Sequence, residues 1–379
     1  MSNLIEYKEI KAFHPGYFVK QIIEDMGITQ EEFALRLGTT GKNISELVNG
    51  HCLLSRELAM QLSNMTGISL ETWMNLRMTY ESKMLEIEER KQKDAEQGIL
   101  TMLDYPFFVT NAGLPKTKDK LTMIRYLREH LGIASLLTLR NEELFVAYRM
   151  HETENSEKNM VPAKAWLLLA QKMATQTMDQ QRTPDIEKLK SYIPLIKSMT
   201  KRDVLEILPD LKQIFFDCSI AFVCLPAIKN SKVCGCVKWL RNGKNVFLAI
   251  SDRTKAQDVF WFTLLHEVGH LLQRDFSHAF VSFENTSDAS DEEKAADDFA
   301  RDTLIDRKIY QKLVKSKRFN YESIVSVAEA ADVDPGVIAG RLAKEKLVSF
   351  SYIANLRRQF SFQSVMVKRQ TQAETSPVD

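Results

Sequence analysis

Apolar side chains recur at helical spacing through the first 85 residues, in short segments that glycine or asparagine ends. In the first segment Val19, Ile22, Ile23 and Met26 share one face of a helix, and Gly27 follows them. Further segments of the same kind follow before residue 85. The pattern therefore predicts five helices between residues 10 and 85.

The second and third of these helices have the features of a helix-turn-helix. Thr29 and Glu32 form a capping box that begins the second helix, and Gly38 supplies the turn. Ala34 is small enough for the two helices to cross closely, and Ile44 packs the third helix into the core. The exposed face of the third helix would then enter the major groove of DNA.

Polar side chains occupy the positions that a helix-turn-helix uses to contact DNA. The predicted base-edge and phosphate contacts are Gln30, Thr40, Lys42, Asn43 and Ser45. Residues 14–84 carry six Lys and Arg residues against eight Asp and Glu residues, so this segment attracts phosphate weakly. A helical bundle that binds protein instead of DNA stays an alternative.

Residues 10–85 resemble the HigA-like antitoxin branch of the lambda-repressor-like, XRE-type family. The matching features are the helix-turn-helix, His14-Pro15-Gly16 before the first helix, and the segment Leu70–Leu76 after the fourth. The resemblance implies a five-helix domain that binds a palindromic operator in double-stranded DNA as a homodimer.

The pattern changes along the rest of the chain. Residues 81–96 carry dense charges of both signs, which predicts a solvated helical linker, and helical spacing continues to residue 215. Val233–Leu240 and Asn245–Ile250 then flank Asn242-Gly243, a dipeptide typical of β-hairpin turns. The predicted fold class is mainly α with a small β-sheet (α+β).

The segment Phe262–Leu272 places two histidines and a glutamate on an apolar helix. His266 and His270 are four residues apart, so both project from one face and can bind one Zn²⁺. Glu267 can act as general base towards water held by the metal. An isolated motif of this kind has an alternative interpretation, a pair of core histidines.

A second predicted helix supplies carboxylates for the same site. Glu293 and Asp297 lie one turn apart on it. Glu293 can complete a three-ligand site, and Asp297 can accept the N–H of a ligating histidine. The layout with a third histidine would need Gly at position 273 and His at position 276, where this chain has Gln273 and Phe276.

Residues 216–348 resemble the ImmA/IrrE family of regulatory zinc peptidases. The matching features are the His266-Glu-x-x-His270 helix, the hairpin with Trp239 and the helix from Glu293 to Ala300. The resemblance implies a gluzincin-like domain with Zn²⁺ on His266, His270 and Glu293, and with Glu267 as the catalytic residue. It also implies intracellular cleavage of specific protein partners, often repressors with helix-turn-helix domains.

A second helix-turn-helix spacing follows in Val327–Leu342. Ala328 and Ile338 are separated by ten residues, as Ala34 and Ile44 are. Asp334 can cap the second of these helices. We interpret this segment as packing around the peptidase rather than as a second DNA reader.

Composition narrows the class of protein. The chain has 379 residues, 44% of them hydrophobic, and a net charge of +1, which excludes a globally basic nucleic-acid coat protein. The first residues lack a secretion signal and no apolar run approaches membrane length, so we expect a cytoplasmic protein. Five cysteines without such a signal indicate reduced thiols. Cys234 and Cys236 suit strand packing, with metal binding as the alternative.

The predicted function is that of a transcriptional regulator that cleaves a repressor- or antitoxin-like protein, or itself, in a stress, phage or toxin–antitoxin switch. Two alternatives stay open. One is an antitoxin or autorepressor whose zinc domain senses metal or binds a toxin, and the other is a scaffold without catalysis. The predicted domains are the helix-turn-helix domain at 10–85, a helical middle region at 86–215, the peptidase domain at 216–348 and a C-terminal extension at 349–379 with a disordered tail.

Overall fold

The computed structural model describes residues 3–141, 148–149, 156–179, 181–241, 243–274, 279–283 and 290–362. The chain divides into two compact units, Met1–Glu96 and Gln97–Asp379. The described part is mainly helical with two small sheets, which agrees with the α+β class. The predicted disordered tail and the turn residue Asn242 lie outside the described residues. Among the helices that are described, none is long and apolar enough to cross a membrane.

The first unit consists of helices preceded by a two-stranded antiparallel hairpin. The strands are β1 (Leu4–Tyr7) and β2 (Ile10–Phe13). The helices are α1 (Pro15–Met26), α2 (Gln30–Leu37), α3 (Gly41–Val48), α4 (Arg56–Thr66) and α5 (Leu70–Leu100), which continues past the boundary at Glu96. The five predicted helices are confirmed, and the hairpin is an element that the sequence analysis missed.

Threonine caps begin α2 and α3, and the first of them is the predicted cap at Thr29. The Thr29 hydroxyl accepts the N–H of Glu32, and the Thr40 hydroxyl accepts the N–H of Asn43, each at 3.2 Å. Gly38 ends α2 with φ +77°, a conformation that favours glycine. The capping box is incomplete, however, because the Glu32 carboxylate pairs with Arg36 one turn later instead of reaching back to Thr29.

Helices also dominate the second unit. They are α6 (Tyr105–Ala112), α7 (Lys120–Leu131), α8 (Glu157–Thr177), α9 (Ile186–Ser198), α10 (Val204–Asp217), α11 (Gln257–Gln273), α12 (Asp291–Leu304), α13 (Arg307–Ser316), α14 (Tyr321–Ala331) and α15 (Pro335–Lys344). Ala328 of α14 and Ile338 of α15 are buried in the same core as α11, which fits the predicted packing role of that segment.

A mixed sheet lies at the centre of the second unit. Its strands are β3 (Tyr148–Arg149), β4 (Ala221–Cys224), β5 (Val233–Leu240), β6 (Asn245–Ile250) and β7 (Ala279–Phe283). Their order in the sheet is β3-β7-β5-β6-β4. β5 and β6 form the predicted antiparallel hairpin, and β7 lies antiparallel on the other side of β5.

Alternate residues of β5 face two different cores. Val237 and Trp239 pack with α11 on one side, whereas Cys236 packs with Trp166 of α8 on the other. Burial raises the pKa of the Cys236 thiol well above its usual value, which suits a core residue. The domain boundaries predicted at residues 86 and 216 stay predictions, but helices before residue 216 share a core with strands after it.

Candidate metal centre and nucleic-acid interface

Two neighbouring helices bring the predicted metal ligands together. α11 supplies His266 and His270, whose Nε2 atoms lie 3.0 Å apart. α12 supplies Glu293, whose Oε2 lies 3.1 Å from His266 Nε2 and whose Oε1 lies 3.2 Å from His270 Nε2. Both histidines are buried, and Glu293 is half-buried. The three side chains therefore point at one small volume.

The close approach of α11 and α12 depends on small residues between them and on the N-cap of α12. A Cβ at Gly269 of α11 would lie 2.9 Å from Ala296 Cα of α12, so only glycine allows the two helices to approach this closely. The Ser290 hydroxyl accepts the N–H of Glu293 at 3.3 Å and begins α12 there. The cap places Glu293 in the first turn, facing the histidines.

Each histidine has a second partner at its Nδ1 atom. Asp297 Oδ1 lies 2.9 Å from Nδ1 of His266, where the sequence analysis expected it, and Gln273 Oε1 lies 3.3 Å from Nδ1 of His270. The ring of Phe280 stacks on His270 with centroids 4.0 Å apart. Contacts of this kind fix the orientation and tautomer of a metal ligand.

The electrostatics of the centre favour a bound cation. Burial disfavours the charged imidazolium, but hydrogen bonds with Asp297 and Glu293 outweigh it and raise the pKa of His266 to about 10. Burial likewise opposes ionisation of Glu293, but hydrogen bonds from His266 and His270 lower its pKa to about 2. Glu293 is therefore ionised at neutral pH, and a metal ion bound here would replace the proton that the same contacts hold on His266.

Glu267 lies in a slot formed by Gly235 of β5, Ser282 of β7 and Thr263 of its own helix. The Ser282 hydroxyl donates to Glu267 Oε1 at 2.6 Å. A Cβ at Gly235 would lie 2.4 Å from the same oxygen and 2.9 Å from Thr263 Cγ2. Glu267 is fully buried, its Oε2 has no hydrogen-bond partner within the described part of the chain, and burial raises its pKa.

The residues of the centre fit zinc. One ligand atom each from His266, His270 and Glu293 lies within 4.8 Å of the others. Two imidazoles and one carboxylate form a typical protein ligand set for a zinc ion that keeps one position open to water or substrate. The unpartnered carboxylate oxygen of Glu267, on the same helix as the histidines, is available to hydrogen-bond such a water.

The predicted DNA contacts lie on and beside α3. Thr40, Lys42 and Asn43 are exposed, and Gln30 and Ser45 are half-buried. The opposite side of α3 faces the core of the first unit. The ammonium of Lys42 lies 3.8 Å from the Glu46 carboxylate, so its charge is partly balanced within the helix. The roles of the five residues in DNA binding stay predictions.

Comparisons with known proteins concern the helix-turn-helix. A family model for helix-turn-helix domains matches residues 19–73. Virulence-associated protein I of Dichelobacter nodosus is 25% identical over 83 residues, which are 22% of this chain and 77% of that protein. The uncharacterized HTH-type transcriptional regulator YddM of Escherichia coli K12 is 29% identical over 63 residues, 17% of this chain and 67% of that protein.

A solved structure described as an antidote protein of a plasmid maintenance system, from Nostoc punctiforme, is 24% identical with a TM-score of 0.22. It covers 22% of this chain and 92% of its own. The family match and the two relatives show an XRE-type helix-turn-helix domain at the N-terminus, the kind that DNA-binding transcriptional regulators carry. The metal centre lies outside the matched residues 19–73.

Several contacts of the centre were missed by the sequence analysis. Gln273 follows His270 by three residues, so helical spacing could have indicated its contact. Gly235, Phe280 and Ser282 come from strands, and their places depend on strand register. The sequence pattern of α11 and α12 does not indicate that register.

Proposed function

We propose that this chain is a transcriptional regulator that binds operator DNA and hydrolyses a protein partner, or itself, at a zinc centre. The observation that carries the proposal is the convergence of His266, His270 and Glu293 on one volume, with Glu267 buried on the same helix. Two core histidines on a buried helix would not require an ionised carboxylate facing both of them.

Each residue of the centre has a separate role in the proposed hydrolysis. His266, His270 and Glu293 would hold Zn²⁺, which when bound polarises a peptide carbonyl and makes water more acidic. Ser282 holds Glu267 Oε1, which leaves Oε2 free to take a proton from the attacking water. The same carboxyl group can then return that proton to the nitrogen of the leaving amine. Asp297 and Gln273 keep the imidazoles oriented throughout.

The helix-turn-helix domain would direct this activity to DNA. A homodimer on a palindromic operator would place the peptidase near repressor- or antitoxin-like proteins bound there, and a toxin is a further candidate partner. Cleavage of such a protein, or of the chain itself, would switch transcription in a stress, phage or toxin–antitoxin response.

The direct test compares zinc-loaded wild type with Glu267→Gln, which keeps the side-chain volume and removes the base. Both proteins are incubated alone and with a peptide library from a digested proteome, and new termini are mapped by mass spectrometry. We expect cleavage by wild type and a loss of at least about 100-fold in Glu267→Gln, because general base catalysis contributes roughly that much. Zinc content should be equal in both.

An absence of cleavage by zinc-loaded wild type would contradict the proposal. It would favour the alternative in which the zinc domain senses metal or binds a partner without hydrolysis. Equal cleavage by wild type and Glu267→Gln would instead point to a contaminating protease or to a different base.

A further inference from the structure

Helix α13 concentrates positive charge in a chain that is nearly neutral. Residues 306–320 contain Arg307, Lys308, Lys312, Lys315, Lys317 and Arg318 against one acidic residue, Asp306. The whole chain has 51 Lys and Arg residues against 50 Asp and Glu residues, so this segment departs from the charge balance of the chain as a whole. All six cationic side chains are exposed.

Three of these residues form one face of the helix, which we call the lysine face. Lys308, Lys312 and Lys315 are spaced at i, i+4 and i+7, and the buried residues Tyr310 and Leu313 lie on the opposite side. The lysine face extends about 10 Å along the helix axis, at 1.5 Å per residue. In a DNA duplex this length carries several phosphates.

The ammonium groups of this face have no ion-pair partner in the part of the chain that the structure describes. Among the described residues, no carboxylate lies within ion-pair distance of Lys308, Lys312 or Lys315. The two nearest acids in sequence are occupied, because Asp306 accepts backbone N–H groups of α13 and Asp302 pairs with Arg307 at 3.6 Å. The lysine face therefore presents three exposed charges that no carboxylate of the described residues neutralises.

Helix stability does not explain these charges. Cations stabilise the last turn of a helix, which accounts for Lys315, but they work against the helix dipole in the first turn. Arg307 and Lys308 occupy that first turn, and no acidic residue accompanies them inside it. A function outside the fold is the simpler reason for their presence.

We propose that the lysine face of α13 binds the phosphate backbone of duplex DNA without reading its sequence. The helix-turn-helix segment carries a net negative charge, whereas affinity for DNA comes largely from phosphate neutralisation. The lysine face supplies that neutralisation from the other unit of the same chain. This inference goes beyond the proposed function, since it needs neither zinc nor hydrolysis.

The buried side of α13 is anchored in the core of its unit through Tyr310. The Tyr310 hydroxyl donates to Glu345 at 2.7 Å, and the Arg341 guanidinium lies 3.6 Å from the centre of the Tyr310 ring. Because the apolar side of α13 is buried in the core, the helix has no apolar face to insert into a membrane. Exposed Gln311 lies beside the lysines and can donate to phosphate oxygen.

The test measures binding of the full chain to a 25-base-pair duplex of arbitrary sequence by fluorescence anisotropy, from 50 to 200 mM salt. The variant carries Lys308→Gln, Lys312→Gln and Lys315→Gln. We expect at least a tenfold loss of affinity at 50 mM salt. We also expect the slope of log affinity against log salt concentration to be shallower by about 3, close to one for each lost phosphate contact.

A matched control carries Lys116→Gln, Lys118→Gln and Lys120→Gln, three exposed lysines elsewhere in the second unit. It changes net charge equally, and we expect an affinity change of less than about twofold. A triple Lys→Arg variant of the lysine face should keep wild-type binding. Circular dichroism melts verify that each variant is folded.

Two results would overturn the proposal. In the first, the lysine-face variant and the control lose affinity equally, which would mean that only net charge matters. In the second, the lysine-face variant keeps its DNA affinity; a simultaneous loss of binding to vesicles with 30% phosphatidylserine would then assign the face to a membrane surface.

Discussion

Gly235 determines where the carboxylate of Glu267 can lie. It is paired with Ser282 on the neighbouring strand. Gly235, which has no side chain, leaves the space for the carboxylate, and the Ser282 hydroxyl donates a hydrogen bond to it. The sequence shows Gly235 only as the residue between two cysteines. Its role depends on strand register and on the position of helix α11, which begins at Gln257, and neither is encoded locally.

Substitution of Gly235 with alanine should therefore be costly. The added Cβ would meet Glu267 Oε1 at 2.4 Å, and overpacking of this kind lowers the free energy of unfolding by about 1–3 kcal/mol. Gly98→Ala is the control, because its added Cβ would meet no atom within 4 Å inside helix α5. That control should raise stability by about 0.5–1 kcal/mol. Urea denaturation measures both, and equal stability of the two variants would contradict the account of the slot.

At the scale of elements, helix α11, which carries the proposed histidine ligands, is fixed at its start by residues 357–362. Asp258 in its first turn accepts one bifurcated hydrogen bond from the Arg357 Nε–H, with 3.0 Å from Nε to each carboxylate oxygen. Gln359 bridges to Ala256, and Phe360 and Phe362 are buried beside Phe260. Sequence analysis found α11 from its motif, but it treated residues 349–379 as an extension, because long-range packing leaves no periodic signal in so short a segment.

Removal of Arg357 should destabilise this arrangement strongly. Asp258 is 6% exposed and Arg357 is 16% exposed, so Arg357→Met leaves a buried carboxylate without its partner. Breaking such a pair costs about 3–5 kcal/mol of unfolding free energy. Arg202→Met is the control, since the Arg202–Asp210 pair is half-exposed on both sides and should contribute at most about 1 kcal/mol. A similar small loss for both variants would show that the C-terminal segment does not hold α11.

For the whole molecule, the features that could be predicted from the sequence are those that depend on residues close together in the chain. The helix-turn-helix and the helices α11 and α12 each depend on residues within a few turns, so their positions were correctly inferred. The helices before residue 216 have no such motif, and their packing against the sheet through residues such as Trp166 emerges only in three dimensions. The two units have separate cores, which fits two functions in one chain.

The most direct test of the central claim is the zinc content of the purified chain after zinc reconstitution, measured by atomic emission. We expect about one zinc per chain in wild type and in Asp298→Ala, a control on an exposed neighbour in α12. We expect little or none in His266→Ala and Glu293→Ala, because each removes one of three ligands. No zinc in wild type, or full zinc in Glu293→Ala, would contradict the three-ligand centre.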